Sequence, residues 1–396
     1  MLNNKLSRKI IIFLAIAAIF LTACSSNGPE LPESKSYSED YEFLWETLET
    51  SYPYLLYLRD EMNIDVDEIH DRYETELASI TDNAAFAGCI ERMLAELKNF
   101  AHLNLISPEM YKTYYYIYVQ SKVMQNEGFS EILQDSRLSD IYSSGDIPDD
   151  YQQQTAEHAP AVFIQYYDAY KAIYLKINTF DQEVFERDKN IVYDALEQYP
   201  DAENIIFDIT ENGGGSDYYW MNDLVAPFGG RYEFTHRIFF RSTKLLNYYY
   251  PDNNYRSVSE LEDSPEWAVS LRLDSYFVNT WILPEENSSQ PVIDKDIKKW
   301  VLTSEKVYSS ADKFVCFCKA TGWATIVGTS TSGDGLGSTP ILVILPYSGL
   351  LVRFSCMAGE NPDGGMNAAE GSYPDVICIK GEWPLNRCLE LINEQH

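Results

Sequence analysis

Apolar residues recur every three or four positions in the first third of the chain. Later they alternate or form unbroken runs. Tyr41, Leu44, Trp45 and Leu48 fall on one face of a helix. Ile69, Tyr73 and Leu77 repeat the four-residue step, and Phe86, Cys89, Ile90, Met93, Leu94 and Leu97 form a third such face. Together these predict a helical subdomain over residues 38–107. The period breaks at Asn99-Phe100-Ala101-His102, after which Leu103-Asn104-Leu105-Ile106-Ser107 alternates as a strand does. His102 therefore sits where helix gives way to strand. Residues 108–160 carry the weakest pattern and read as a variable connecting segment. A strand is expected over 114–119, a short helix over 129–133 and a loop over 146–155.

From residue 161 the pattern becomes that of an α/β core reaching to 396. Strands are expected over 161–164, 172–177 and 204–209, with helices over 184–199 and 218–225. Residues 231–241 and 244–250 suggest a hairpin, and 252–294 an excursion of irregular and helical segments. A strand over 299–303 leads to a turn, then a helix over 314–322. Residues 325–328 are the next strand, 341–344 and 350–354 a hairpin, and 376–379 the last strand.

The first residues change the picture of where the protein works. Lys5, Arg8 and Lys9 precede an unbroken apolar run over 10–21, too short for a stable bilayer span, which ends at Leu21-Thr22-Ala23-Cys24. This predicts a secretory signal over 1–23. The ending resembles a bacterial lipobox, which implies cleavage before Cys24 and a diacylglycerol on its sulfur. Residues 24–37 then form a polar tether. The net charge of −31 disfavours nucleic acid and anionic lipid, so membrane attachment would rest on the lipid. Cys89, Cys316, Cys318, Cys356, Cys378 and Cys388 have no metal-ligand spacing. An exported protein permits a disulfide among them, but the spacing assigns none. Neither a metal nor an organic cofactor is expected.

The candidate chemistry lies at Val307-Tyr308-Ser309-Ser310-Ala311-Asp312, between a buried strand and a helix. A serine there can cap the helix or act as a nucleophile whose oxyanion meets backbone amides. Four segments in order bear on the choice. Asp208-Ile209-Thr210-Glu211-Asn212-Gly213-Gly214-Gly215, Tyr308-Ser309-Ser310-Ala311-Asp312, Gly322 to Thr331, and Gly371-Ser372-Tyr373-Pro374-Asp375 resemble the motifs of the C-terminal (tail-specific) processing protease superfamily. The resemblance covers roughly residues 165–380. It implies a crotonase-like core of repeated ββα units and a serine peptidase acting on peptides or exported proteins. It places the nucleophile on Ser310, because Ala311 follows, with Ser309 as runner-up.

The lysine that one branch keeps about two dozen residues past the serine is replaced here by Asp334. The other branch resembles the tricorn core protease and retinoid-binding-protein-like repeats, and takes a histidine from the helical subdomain. That implies His102 as base, with Glu370, just before Gly371, orienting it. The Gly214, Gly215 and Ala311 amides would form the oxyanion hole. Departures at Thr210, at Asp334 and around His102 keep two alternatives open, a peptide-binding member without activity and an unrelated surface-binding lipoprotein.

Overall fold

The computed structural model describes residues 34–121, 125–144, 162–251, 254–284 and 292–395. The signal, Cys24, all of the tether before residue 34, and the loop expected over 146–155 lie outside the described residues.

Four helices open the described chain: α1 (Tyr37–Ser51), α2 (Tyr54–Asp60), α3 (Val66–Leu77) and α4 (Asn83–Glu96). Ser36, Asp65 and Asp82 cap α1, α3 and α4, each side chain accepting from the amide three residues on. The faces read from the sequence are buried, Tyr41, Leu44 and Leu48 completely so.

The strands in chain order are β1 (Asn104–Leu105), β2 (Phe163–Tyr167), β3 (Ala172–Lys176), β4 (Asn204–Asp208), β5 (Tyr232–Phe240), β6 (Arg256–Ser257), β7 (Ser275–Leu283), β8 (Lys298–Thr303), β9 (Thr325–Gly328), β10 (Ile341–Ile344), β11 (Leu351–Phe354), β12 (Met357–Gly359) and β13 (Val376–Ile377). Among the described residues they form three sheets, ordered β13-β9-β8-β4-β3-β2, β12-β5-β7-β6 and β1-β11-β10. In the first, every pair from β3 to β13 is parallel and only the edge strand β2 runs against its neighbour. A parallel strand covered on both faces is apolar along its middle, and β4 is wholly buried, Ile205, Ile206 and Phe207 flanked by the buried Asn204 and Asp208. The carboxyl ends of β4, β8 and β9 open onto one edge, where open α/β sheets hold their ligands. The fold is thus a mixed α/β core with a helical N-terminal region.

Several expected elements differ. Residues 114–119 are helical, because the helix Pro108–Tyr115 continues into a π-helical stretch, Tyr116–Gln120. Its tyrosines follow the helical step, with Tyr111 against Tyr115 and Tyr114 against Tyr118. The hairpin over 231–250 is not formed. Thr243 caps a helix, Lys244–Tyr249, which buries Leu246 and Tyr249. β5 pairs antiparallel with β12 on one side and, on the other, with β7 from Tyr232↔Leu283 to Phe240↔Ser275, β7 lying within the stretch read as irregular. The helix expected over 184–199 is broken into Phe185–Asp188 and Ile191–Gln198. The six cysteines after Cys24 are free and buried. No described helix is long and apolar enough to cross a membrane.

The helical region docks on the β10–β11 hairpin. Both oxygens of the buried Asp40 on α1 accept hairpin amides, from Tyr347 and Ser348, each at 2.7 Å. β1 adds Asn104↔Arg353 and Leu105↔Val352 to β11. Charge-assisted bonds of this kind contribute more than neutral ones. Asp40→Ala is expected to lower the unfolding free energy by about 2–4 kcal/mol, with Asp40→Asn between it and the parent, as read by denaturant titration.

Candidate active site

The strand β8 ends at Thr303, and the chain turns sharply through Ser309 into the helix Ser310–Thr321. Ser309 has φ 56° and ψ −126°, a conformation that a residue with a Cβ rarely takes. Such a residue costs on the order of 1–3 kcal/mol and persists only when its surroundings impose it. The Gly333 carbonyl accepts from the Ser309 amide at 2.9 Å, and the Ser309 carbonyl accepts from Lys313 at 3.0 Å. Ser309 stands at the helix N-cap, yet its side chain makes no capping bond. Its Oγ lies 3.1 Å from His102 Nε2.

His102 ends a short 3-10 turn, Phe100–His102, after α4. Ala101 and His102 both have left-handed φ, 49° and 60°. The turn is held by Tyr52, whose hydroxyl donates to the Phe100 carbonyl at 2.6 Å, and by the Ser355 amide, which donates to the Ala101 carbonyl at 2.9 Å. On its other side, His102 Nδ1 lies 2.5 Å from Asp334 Oδ2. The Asp334 side chain is only 2% exposed. That oxygen also accepts from Ser355 Oγ at 2.9 Å and from the Tyr308 hydroxyl at 3.1 Å. Burial drives the imidazole below its ordinary value of 6.5. The charge and hydrogen bond of Asp334 oppose this, and Arg353 adds to it. The ring is therefore neutral near pH 7. A carboxylate at Nδ1 keeps the proton there and leaves Nε2 as the acceptor facing Ser309.

The loop bearing Asp334 is fixed from below by Asp312, two residues into the helix and fully buried. Asp312 accepts from Thr331 Oγ1 at 2.5 Å, Ser372 Oγ at 2.6 Å and Asn367 Nδ2 at 2.8 Å. Asn367 Oδ1 in turn accepts the Gly335 and Leu336 amides at 2.9 and 3.1 Å. Burial pushes the Asp312 carboxyl up, while the Ser372, Thr331, Asn367 and Gly335 donors pull it down.

Two expected residues lie elsewhere in this geometry. Ser310 has its Oγ buried with no hydrogen-bond partner among the described residues, and the position facing His102 belongs to Ser309. The reason is the turn itself, since Ser310 already begins the helix. Glu370 is exposed at the end of the turn Asn367–Glu370 and accepts from the Met366 amide at 3.2 Å. Among the described residues no hydrogen bond or ion pair joins it to His102, and Asp334 occupies that place.

Two of the three expected oxyanion donors are engaged elsewhere. The Ala311 amide donates to the Tyr308 carbonyl at 3.1 Å, and the Gly214 amide to Asn212 Oδ1 at 2.9 Å. The bridge between Gly215 and Phe180 is made by its neighbours, the Gly214 carbonyl accepting from the Phe180 amide and the Ser216 amide donating to the Phe180 carbonyl, so the Gly215 amide makes no backbone hydrogen bond among the described residues. The Ser310 amide makes no backbone hydrogen bond among the described residues. Asp334 carries a readable signal, an acid between Gly333 and Gly335 where the Ser/Lys branch keeps its lysine; Ser355 carries none.

Among the described residues one group, His70, Asp71 and Glu74 on α3, is spaced to hold a metal ion, and it forms no part of this site. Gly214 is needed where it stands. It has φ 111°, and a Cβ there would lie 2.9 Å from both Ser309 Cβ and the Tyr308 carbonyl oxygen. Gly213 has nothing within 4 Å of the same position. Gly214→Ala is expected to displace Ser309 and lower the melting temperature, while Gly213→Ala leaves both nearly unchanged; thermal melts and active-site labelling check this.

A family model described as peptidase family S41 matches residues 171–378, and one described as the tricorn protease C1 domain matches residues 34–95. No match is found among curated proteins. Among solved structures, a protein from Parabacteroides merdae described as a candidate peptidase is similar at a TM-score of 0.54 and 20% identity, covering 91% of this chain and 97% of its own. A lipoprotein from Streptococcus agalactiae gives 0.50 at 13% identity, with 93% and 100% covered. Mature CPAF gives 0.51 at 13%, with 86% and 92% covered. At these identities the three likenesses carry the fold alone. The S41 match is of another kind, since it takes in more than half of the chain, from β3 through the Ser309 turn and the Asp334 loop to β13. The chain belongs to peptidase family S41, a family of serine hydrolases.

Proposed function

We propose that the protein hydrolyses peptide bonds of exported proteins or peptides by acyl transfer at Ser309. The observation that carries this reading is the continuous line from Ser309 Oγ to His102 Nε2 at 3.1 Å and from His102 Nδ1 to Asp334 Oδ2 at 2.5 Å. Ser309 Oγ attacks the scissile carbonyl carbon and its proton passes to Nε2. Asp334 stabilises the imidazolium that forms. The Ser310 amide, at the positive end of the helix, faces the negative charge developing on the carbonyl oxygen. Nε2–H then protonates the leaving amine, and water activated by the same nitrogen releases the acyl group. Asp334 stands in the position of the Ser/Lys branch's lysine, while the role of base passes to His102.

The protein would act outside the cytoplasm, tethered by a lipid on Cys24. The basic residues, apolar run and lipobox-like ending support this.

A fluorophosphonate probe tests the nucleophile. Ser309→Ala is expected to abolish labelling and lower peptide hydrolysis by about 10³-fold or more, while Ser310→Ala keeps activity within about tenfold. Labelling that survives Ser309→Ala and vanishes in Ser310→Ala would reassign the nucleophile. An unlabelled parent protein would favour a peptide-binding role without turnover. The pH profile follows from the buried imidazole. Protonation removes the base, so kcat/KM should fall as pH drops through an apparent pKa below 6.5. An acid limb above that value would count against His102. In membrane fractionation, Cys24→Ser should move the protein to the soluble fraction.

A further inference from the structure

We propose that Tyr308 and Ser355 are positioning residues for Asp334, two hydroxyls that hold one carboxylate oxygen against the imidazole of the base. The inference rests on the Ser309–His102–Asp334 reading above and adds to it. Three donors converge on Asp334 Oδ2: His102 Nδ1 at 2.5 Å, Ser355 Oγ at 2.9 Å and the Tyr308 hydroxyl at 3.1 Å. The Tyr308 hydroxyl also accepts from the His102 backbone amide at 3.1 Å. One oxygen atom thus joins the main chain of the base to the carboxylate that orients its ring. Ser355 works in the same way from the other side, since its amide donates to the carbonyl of Ala101. The two hydroxyls lie 3.2 and 3.3 Å from Nδ1 itself, so they surround the shared proton.

The chemistry explains why donors are needed. Asp334 is a buried carboxylate whose other ionisable neighbours are Tyr52, Tyr54 and Cys356, with Arg353 on β11 acting on His102 and Tyr308. Hydroxyl donors replace the water such a group has lost and spread its charge. Tyr308 serves only as a donor to Asp334, because burial, followed by Asp334 itself, holds its hydroxyl protonated. Remove either hydroxyl, and more of the charge on Oδ2 falls on the imidazole. The imidazolium is then favoured and the base is protonated at higher pH. The Tyr308 ring also packs on the imidazole, with centroids 4.7 Å apart. Phenylalanine keeps that ring, so Tyr308→Phe isolates the hydroxyl.

The test uses the full chain with Tyr308→Phe, Ser355→Ala, Ser355→Thr and Asp334→Asn, each first shown to melt cooperatively. The readouts are kcat, KM and the pH profile of kcat/KM on a peptide substrate. Tyr308→Phe and Ser355→Ala are each expected to lower kcat by about 10- to 100-fold with KM nearly unchanged, the range for a lost hydrogen bond to a charged group. The acid limb should rise by about half a pH unit in both. Ser355→Thr, which keeps a hydroxyl, should restore both rate and limb. An unmoved acid limb in Tyr308→Phe and Ser355→Ala, with activity falling only as the melting temperature falls, would overturn the proposal. Asp334→Asn separates the two levels of inference. If that variant keeps parental activity, the Ser309–His102–Asp334 reading itself fails. If it is inactive while both hydroxyl variants keep parental rates and limbs, only the positioning role fails.

Discussion

The docking of the helical region onto the β10–β11 hairpin is the contact on which the site depends. His102 and Ser309 are 207 residues apart in the chain. Nothing local brings them together. The Asp40 carboxylate on two hairpin amides, the two-residue pairing of β1 with β11 and the Ala101–Ser355 backbone bond do so. Each is a polar contact with fixed direction, laid over apolar burial that is itself non-directional. Hydrophobic burial supplies the adhesion and these bonds supply the register.

Asp312 performs a similar task inside the core domain. Helix, Asp334 loop and the 367–372 segment meet at its two oxygens. A buried carboxylate is costly unless fully hydrogen-bonded, and this one is supplied by donors from two other segments of chain. It holds Asp334 in place without touching His102 or Ser309 Oγ in any bond.

Much of this was legible in the sequence, for identifiable reasons. The helical face of Tyr41, Leu44, Trp45 and Leu48 and the apolar run of β4 are long enough for the period to decide. The break at Asn99 to His102 marked the histidine's turn. The hairpin expected over 231–250 failed because Lys244–Tyr249 carries two apolar residues three apart and a threonine cap, a helical signal hidden in an aromatic run. The strand β7, which pairs with β5, carries the adjacent polar residues Asn279 and Thr280 in its middle, and these break its alternation. At the site, Ser309 and Ser310 are chemically identical in sequence. Only the turn geometry, which turns one side chain toward His102 and buries the other, separates them. Asp334 was seen as a missing lysine rather than as an acid in its own right. A carboxylate's role depends on what it faces, and position along the chain does not give that.

His102, Ser309 and Asp334 share one backbone property, a positive φ of 60°, 56° and 56°. At each of these positions glycine would relieve the backbone, and at each it would delete the reacting group. Selection or engineering for heat resistance therefore pulls against activity at all three places at once. A stabilised descendant of this chain that had lost its chemistry would be expected to show glycine, or asparagine, at these very positions, while the surrounding hydrogen-bond network stayed intact.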